Sequence, residues 1–120
     1  MKILIVDDST AMRMIVRKTM RLAGFDGHEY SEAEDGAKGL AAIKAAQPDL
    51  VLSDWNMPNM TGIELLENLT KDGIAVNFGF VTTEATPDMR QRAAAAGAKF
   101  LISKPFTPES FKDILGAHIK

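Results

Sequence analysis

The chain contains no cysteine, which excludes disulfides and thiolate metal sites and fits a reducing compartment. It has two histidines, His28 and His118; neither lies in a recognisable phosphotransfer setting, and both are expected in solvent. No apolar run approaches the roughly 18 residues of a membrane span. The opening MKILIVDD lacks the longer apolar stretch and small-residue cleavage site of a secretory leader, so a cytoplasmic protein is expected. Neither sign of charge dominates: 14 basic and 16 acidic residues leave a formal net charge of −2. That balance provides no basic footprint for nucleic acid and no charged tail.

What is present is apolar material in short, patterned runs. Hydrophobic residues make up 46% of 120 positions, enough for one core in one domain spanning residues 1–120. KILIV (2–6) reads as a buried strand. A helix follows, with Ser9 or Thr10 as cap, Gly24 past its end, and Met12, Ile15, Val16, Met20 and Leu22 or Ala23 near helical spacing. HEYSEA (28–33) is a weaker strand; DGAKGLAAIKAAQP then reads as a helix with Leu40 and Ile43 inward. DLVLS, VNFGFVTT and KFLIS are further strands, each followed by a helix: TGIELLENLTKDG, TPDMRQRAAAAG and TPESFKDILGAHIK. Thr86-Pro87 and Thr107-Pro108 are cap-plus-first-position signals. Five β-α repeats with short connections predict a parallel sheet covered by helices on both faces. The expected fold is flavodoxin-like, doubly wound, with strand order 2-1-3-4-5.

In such a sheet all strand C-termini share one edge, and ligands bind where the strand order reverses, between strands 1 and 3. Strand 1 ends at Asp7 and Asp8, strand 3 at Asp54, strand 4 at Thr82 and Thr83, strand 5 at Ser103 and Lys104. Two carboxylates about 4 Å apart repel by about 4 kcal/mol at an effective dielectric near 20. A cluster of three stays ionised only around a cation, and hard oxygen ligands without cysteine point to Mg²⁺. Metal, ammonium, hydroxyl donor and carboxylate are the parts of a phosphoryl-transfer site. With no activated Ser or Cys, the nucleophile is expected to be a carboxylate, forming an acyl phosphate.

VDDS at the first strand end, DWNMPNMTG at the third, VTTE at the fourth and KPFT at the fifth resemble the receiver domains of two-component response regulators. The pattern is most similar to the stand-alone, CheY-like chemotaxis type, with Trp55 directly after the acceptor position, Asn56 two beyond it and Glu84 two beyond the threonine. The resemblance covers essentially the whole chain. It implies that Asp54 accepts phosphate from a kinase phosphohistidine. It implies Mg²⁺ held by Asp8 and Asp54, by Asp7 through water and by the Asn56 backbone carbonyl. It further implies Lys104 paired with the phosphoryl group, Thr82 moving to bind it, and a cis peptide between Lys104 and Pro105. Asn56 and Glu84 would tune self-dephosphorylation. Partners implied are a chemotaxis-type histidine kinase and an effector at the fourth helix, fifth strand and fifth helix, a region containing Arg90, Arg92, Lys99, Phe100 and Lys112; a phosphatase is compatible with the scheme. A monomer that binds neither nucleic acid nor membrane is expected.

One position departs from the family pattern. Receivers usually carry Tyr or Phe three residues before the lysine; here that position is Leu101, and the aromatic is Phe100. A one-residue offset in a strand puts a side chain on the opposite face, which leaves open how a change at Asp54 and Thr82 would reach the surface. Each residue alone also has a plainer reading: a solvated strand-end acid, a turn cap at Asp54, a surface lysine, a strand-end threonine with Thr83 as rival, a partly exposed Trp55. Other functions on related sheets fit less well. An aspartyl-phosphate hydrolase needs D-x-D-x-T/V where this chain has DDSTA. A flavin or nucleotide module needs a Gly-rich or Ser/Thr-rich phosphate loop after strand 1. A phosphate sink and a degenerate receiver that binds its partner regardless of phosphate stay open.

Overall fold

The structure, a computed structural model, describes residues 1–83, 85–104 and 106–118. Strands β1 (Lys2–Val6), β2 (Glu29–Ala33), β3 (Leu50–Ser53), β4 (Asn77–Thr82) and β5 (Phe100–Ser103) form one parallel sheet. Its order is β2-β1-β3-β4-β5, as the sequence predicts. The connections carry α1 (Thr10–Leu22), α2 (Gly36–Ala46), α3 (Gly62–Lys71) and α4 (Pro87–Ala96), with α5 (Pro108–Leu115) last. The interior strands β1, β3 and β4 are apolar and buried on both faces, whereas the edge strand β2 is mostly exposed and polar. Polar edges protect a sheet from pairing with other chains.

Alternation along the strands builds two cores. Leu4, Val6, Val51, Phe78 and Phe80 meet Ile43 of α2, Ile63, Leu66 and Leu69 of α3, and Ala93 of α4. Ile3, Ile5, Leu50, Leu52, Val81 and Ile102 meet Val16 and Met20 of α1 and Phe111 and Leu115 of α5. Each helix starts on a side chain that accepts from the first turn: Ser9, Asp35, Thr61, Thr86 and Thr107. Ser9, rather than Thr10, caps α1.

On α1 the expected inner face is partly corrected. Val16, Thr19, Met20 and Ala23 are buried, while Ile15 is 47% exposed and Leu22 61% exposed. Positions 16, 19, 20 and 23 form one i, i+3, i+4, i+7 stripe; Ile15 and Leu22, seven apart, form a neighbouring stripe that faces away from the sheet. A second correction concerns His118, whose ring lies 5.1 Å from that of Phe100, with Nδ1 3.3 Å from Asn77 Nδ2. It is half-buried against β4 and β5 rather than solvated.

The expected opposition of Phe100 and Leu101 is present. Phe100 packs with the α1/α5 core and Leu101 with the α2/α3/α4 core. Phe100 pairs in register with Gly79, and a Cβ at Gly79 would lie 2.0 Å from its ring. The missing side chain at 79 is the space the Phe100 ring occupies. Gly79→Ala should therefore lower stability by about 1–3 kcal/mol in urea unfolding, the usual range for overpacking. In a Phe100→Ala background most of that loss should vanish; an equal loss in both backgrounds would contradict this packing.

Candidate functional site

The rim of the sheet is held by backbone bonds that continue past the strands. Asp7 N–H donates to Ala33 O at 3.1 Å, Asp54 N–H to Val6 O at 2.8 Å, and Lys104 N–H to Thr82 O at 2.8 Å. Because Val6 is in register with Ser53, Asp7 and Asp54 leave neighbouring strands side by side. Ligand oxygens of Asp7, Asp8 and Asp54 all lie within 4.8 Å of one another. Lys104 Nζ faces them from β5, 3.7 Å from Asp7 Oδ2 and 4.0 Å from Asp54 Oδ1. Thr82 is fully buried beside Ser103, and its rival Thr83 is exposed.

Local hydrogen bonds aim these groups. Ser9 N–H donates to Asp7 Oδ1 at 2.9 Å, and Trp55 N–H to Asp54 Oδ1 at 2.8 Å. Arg13 Nη1 donates to the Asp7 carbonyl at 2.6 Å and its Nε to Glu32 at 2.9 Å, tying the Asp7 backbone to α1 and β2. Gly62 closes the loop after Asp54: its N–H donates to Trp55 O at 2.8 Å, and a Cβ there would lie 2.0 Å from Asp54 O. The Arg13 contacts and this close approach of Gly62 were not foreseen from sequence. Trp55 is buried, against its plainer reading as a partly exposed aromatic: it is 8% exposed, with its ring 4.8 Å from that of Phe80. Asn56 is exposed in the same loop. Glu84 and Pro105, and with Pro105 the expected cis peptide, lie outside the described residues. Phe100 and Leu101 stand on β5 before Lys104, on opposite faces of the sheet.

The electrostatics are those of a site that wants a cation. Burial pushes the Asp54 carboxyl above the usual range; the Lys104 ammonium opposes the rise, and Asp7 adds to it. Burial likewise raises Asp7, partly offset by the Ser9 N–H and Lys104. Three formal carboxylate charges and one ammonium leave a deficit of two positive charges. All-oxygen donors this close fit a hard divalent ion such as Mg²⁺, which Asp7, Asp8 and Asp54 would hold.

The response regulator receiver-domain model matches residues 3–116, and the chain belongs to that family. Receiver domains typically bind Mg²⁺ at an acidic cluster of the kind formed here by Asp7, Asp8 and Asp54. The chain is 42% identical to chemotaxis protein CheY-3 of Vibrio cholerae serotype O1 over 117 residues, 96% of this chain and 88% of that protein. It is 40% identical to chemotaxis protein CheY of Pseudomonas aeruginosa over 115 residues, 94% of this chain and 91% of that protein. Among solved structures, CheY4 of Vibrio cholerae superposes with a TM-score of 0.85 at 35% identity, covering 98% of each chain. These similarities support a CheY-like, chemotaxis-type response regulator. Among the described residues no helix is long and apolar enough to cross a membrane.

The raised carboxyls carry a stability consequence. An acid whose folded pKa lies above its unfolded value stabilises the fold below the unfolded pKa, and that contribution is lost as pH rises through the folded value. Without divalent metal, Asp7 and Asp54 therefore weaken the fold once the pH has passed their raised values and both are ionised. Asp54→Asn should raise the thermal midpoint of chelator-treated protein by about 3–6 °C, the shift on the order of 1 kcal/mol produces in a domain of this size. Millimolar Mg²⁺ should stabilise the wild type more than the variant. A lower midpoint for the variant in chelator would contradict the frustrated cluster.

Proposed function

We propose that this chain acts as the phosphoacceptor receiver of a chemotaxis-type two-component system, in the cytoplasm and as a monomer. The observation that carries the reading is the rim itself: three carboxylates within 4.8 Å, faced by one lysine held at 3.7 and 4.0 Å. In the forward step an Asp54 carboxylate oxygen attacks the phosphorus of a kinase phosphohistidine in line. The new O–P bond forms as the N–P bond breaks, and the histidine nitrogen keeps the electron pair. In the hydrolytic step a water oxygen attacks the same phosphorus in line, the O–P bond to Asp54 breaks with its electron pair returning to the carboxylate, and inorganic phosphate leaves as the water's proton passes to phosphate or solvent. The chain supplies the nucleophile of the first step, the leaving carboxylate of the second, and charged groups that face both.

Lys104 would pair with the phosphoryl oxygens, and the Thr82 hydroxyl would donate to them. Asp7, Asp8, Asp54 and the Asn56 backbone carbonyl would hold Mg²⁺, which when bound neutralises charge on those oxygens. Asn56 and Glu84 would flank the approach of water and set the lifetime of the acyl phosphate. Phosphorylation adds about −1.5 to −2 charge at the rim, and the output surface would be α4, β5 and α5. Arg90, Lys99 and Lys112 are exposed there, while Arg92 pairs with Glu67 at 3.6 Å. A second reading, a phosphate sink without its own effector, is favoured by Leu101: no aromatic stands on the α4 side of β5 to swing inward when Thr82 moves.

Incubation with acetyl phosphate and Mg²⁺ should add the mass of one phosphoryl group in intact mass spectrometry. The adduct should disappear with hydroxylamine and be absent in Asp54→Asn. Lys104→Ala should slow its formation by roughly 10²-fold, the scale of losing one charge-stabilising donor. An undiminished adduct in Asp54→Asn would overturn the assignment.

A further inference from the structure

The loop that follows Asp54 is fixed at both ends by contacts of different kinds. At its base Asp54 N–H is in the sheet ladder and Gly62 N–H is bonded to Trp55 O. At its apex Met60 N–H donates back to Pro58 O at 2.7 Å across Asn59. Asn59 has φ +67°, so this three-residue turn places a side-chain-bearing residue in the left-handed region. That combination is a rare and strained γ-turn. It persists only when neighbouring structure holds it.

The neighbour is the loop between β2 and α2. Asn59 Nδ2 donates to Asp35 Oδ2 at 3.0 Å. Asp35 is 5% exposed, and its other oxygen accepts from Lys38 N–H at 2.8 Å as the cap of α2. The carboxylate is thus pinned on both oxygens, and the N–H of Lys38 and then the amide of Asn59 hold its carboxyl below the usual range. Beside it, Gly36 lies so close that a Cβ would stand 2.4 Å from the Met60 carbonyl. The two loops touch through the Gly36 and Met60 backbone and through one buried acid, Asp35, which meets the exposed Asn59. Trp55, Asn56 and Met57 hang between the Gly62 bond and this clamp.

We infer that Asp35 and Asn59 are positioning residues of the Asp54 site: their hydrogen bond holds the strained turn, and through it the backbone of residues 55–57, in the arrangement that receives metal and phosphoryl group. The inference rests on the receiver reading of that site and adds two residues which touch neither ligand. Asn59→Gly is the clean variant, because glycine adopts a positive φ freely and only the hydrogen bond is lost. Asn59→Asp sets two carboxylates against each other. The exchanged pair, Asp35→Asn with Asn59→Asp, rebuilds the bond with donor and acceptor reversed.

Three readouts test it on the full chain. In metal-free protein, amide hydrogen exchange at Met60 and Gly62 should quicken at least tenfold in Asn59→Gly, with core strand amides unchanged. Mg²⁺ titration followed by Trp55 fluorescence should show affinity reduced about 3–10-fold in Asn59→Gly and further in Asn59→Asp. The exchanged pair should recover most of the wild-type affinity. Wild-type exchange and Mg²⁺ affinity in Asn59→Gly would overturn the clamp alone. So would affinity losses that follow the thermal midpoint across the series with no rescue by the exchanged pair. A wild type that does not bind Mg²⁺ would overturn the site reading, and the clamp with it.

Discussion

Three carboxylates sharing one sheet edge with a single lysine is the arrangement on which the rest of this structure depends. Like charges this close repel by several kcal/mol at the effective dielectric of a protein surface, and burial of Asp7 and Asp54 adds to the strain. A loose scaffold would let them move apart. Here Asp7 and Asp54 are each carried one residue past a strand and still bonded into the ladder, with Asp8 next in the chain, and the strands themselves are packed on both faces by a dense apolar core. Fold stability is therefore what keeps the charges together, and the unmet negative charge is what makes the edge a place for a cation. Neutralisation by bound ligands relieves repulsion that the metal-free fold carries, which links occupancy of the site to the energy of the whole domain.

The two faces of the sheet treat the neighbourhood of that edge differently. On the α2/α3/α4 side, Trp55 leads directly from Asp54 to Phe80 and on to Phe78, with ring separations of 4.8 and 5.2 Å. Leu101 pairs in register with Phe80 on this side. On the α1/α5 side, Phe100 is wedged over Gly79 and against His118, a position with no space for a large swing. The aromatic that receivers of this kind usually place beside the threonine is thus replaced by a smaller aliphatic side chain backed by fixed rings.

Much of this was legible in the sequence because the signals were local. Alternating β and α units, Thr-Pro helix starts and the acids and lysine at strand ends give the sheet order and the cluster of Asp7, Asp8, Asp54 and Lys104. The opposed faces of Phe100 and Leu101 also follow from strand alternation alone. What was not legible depended on tertiary choice. Ile15 and Leu22 have helical spacing too, and only the angle at which α1 meets the sheet decides that Val16, Met20 and Ala23 turn inward. His118 reads as a solvent residue until α5 brings it against Phe100. The Asp35–Asn59 contact joins loops 24 residues apart; each residue has an ordinary local role, one as a cap and one in a turn, that hides the contact.

The central claim is that these four residues form one site built around Asp54. It is tested most directly by a crystal structure of the protein grown with Mg²⁺ and beryllofluoride. The account predicts beryllium bonded to an Asp54 carboxylate oxygen, a metal coordinated within the Asp7, Asp8 and Asp54 cluster, and Lys104 Nζ within hydrogen-bond distance of a fluorine. Beryllofluoride bound elsewhere, or a cluster that takes up neither ion while the protein remains folded, would contradict it.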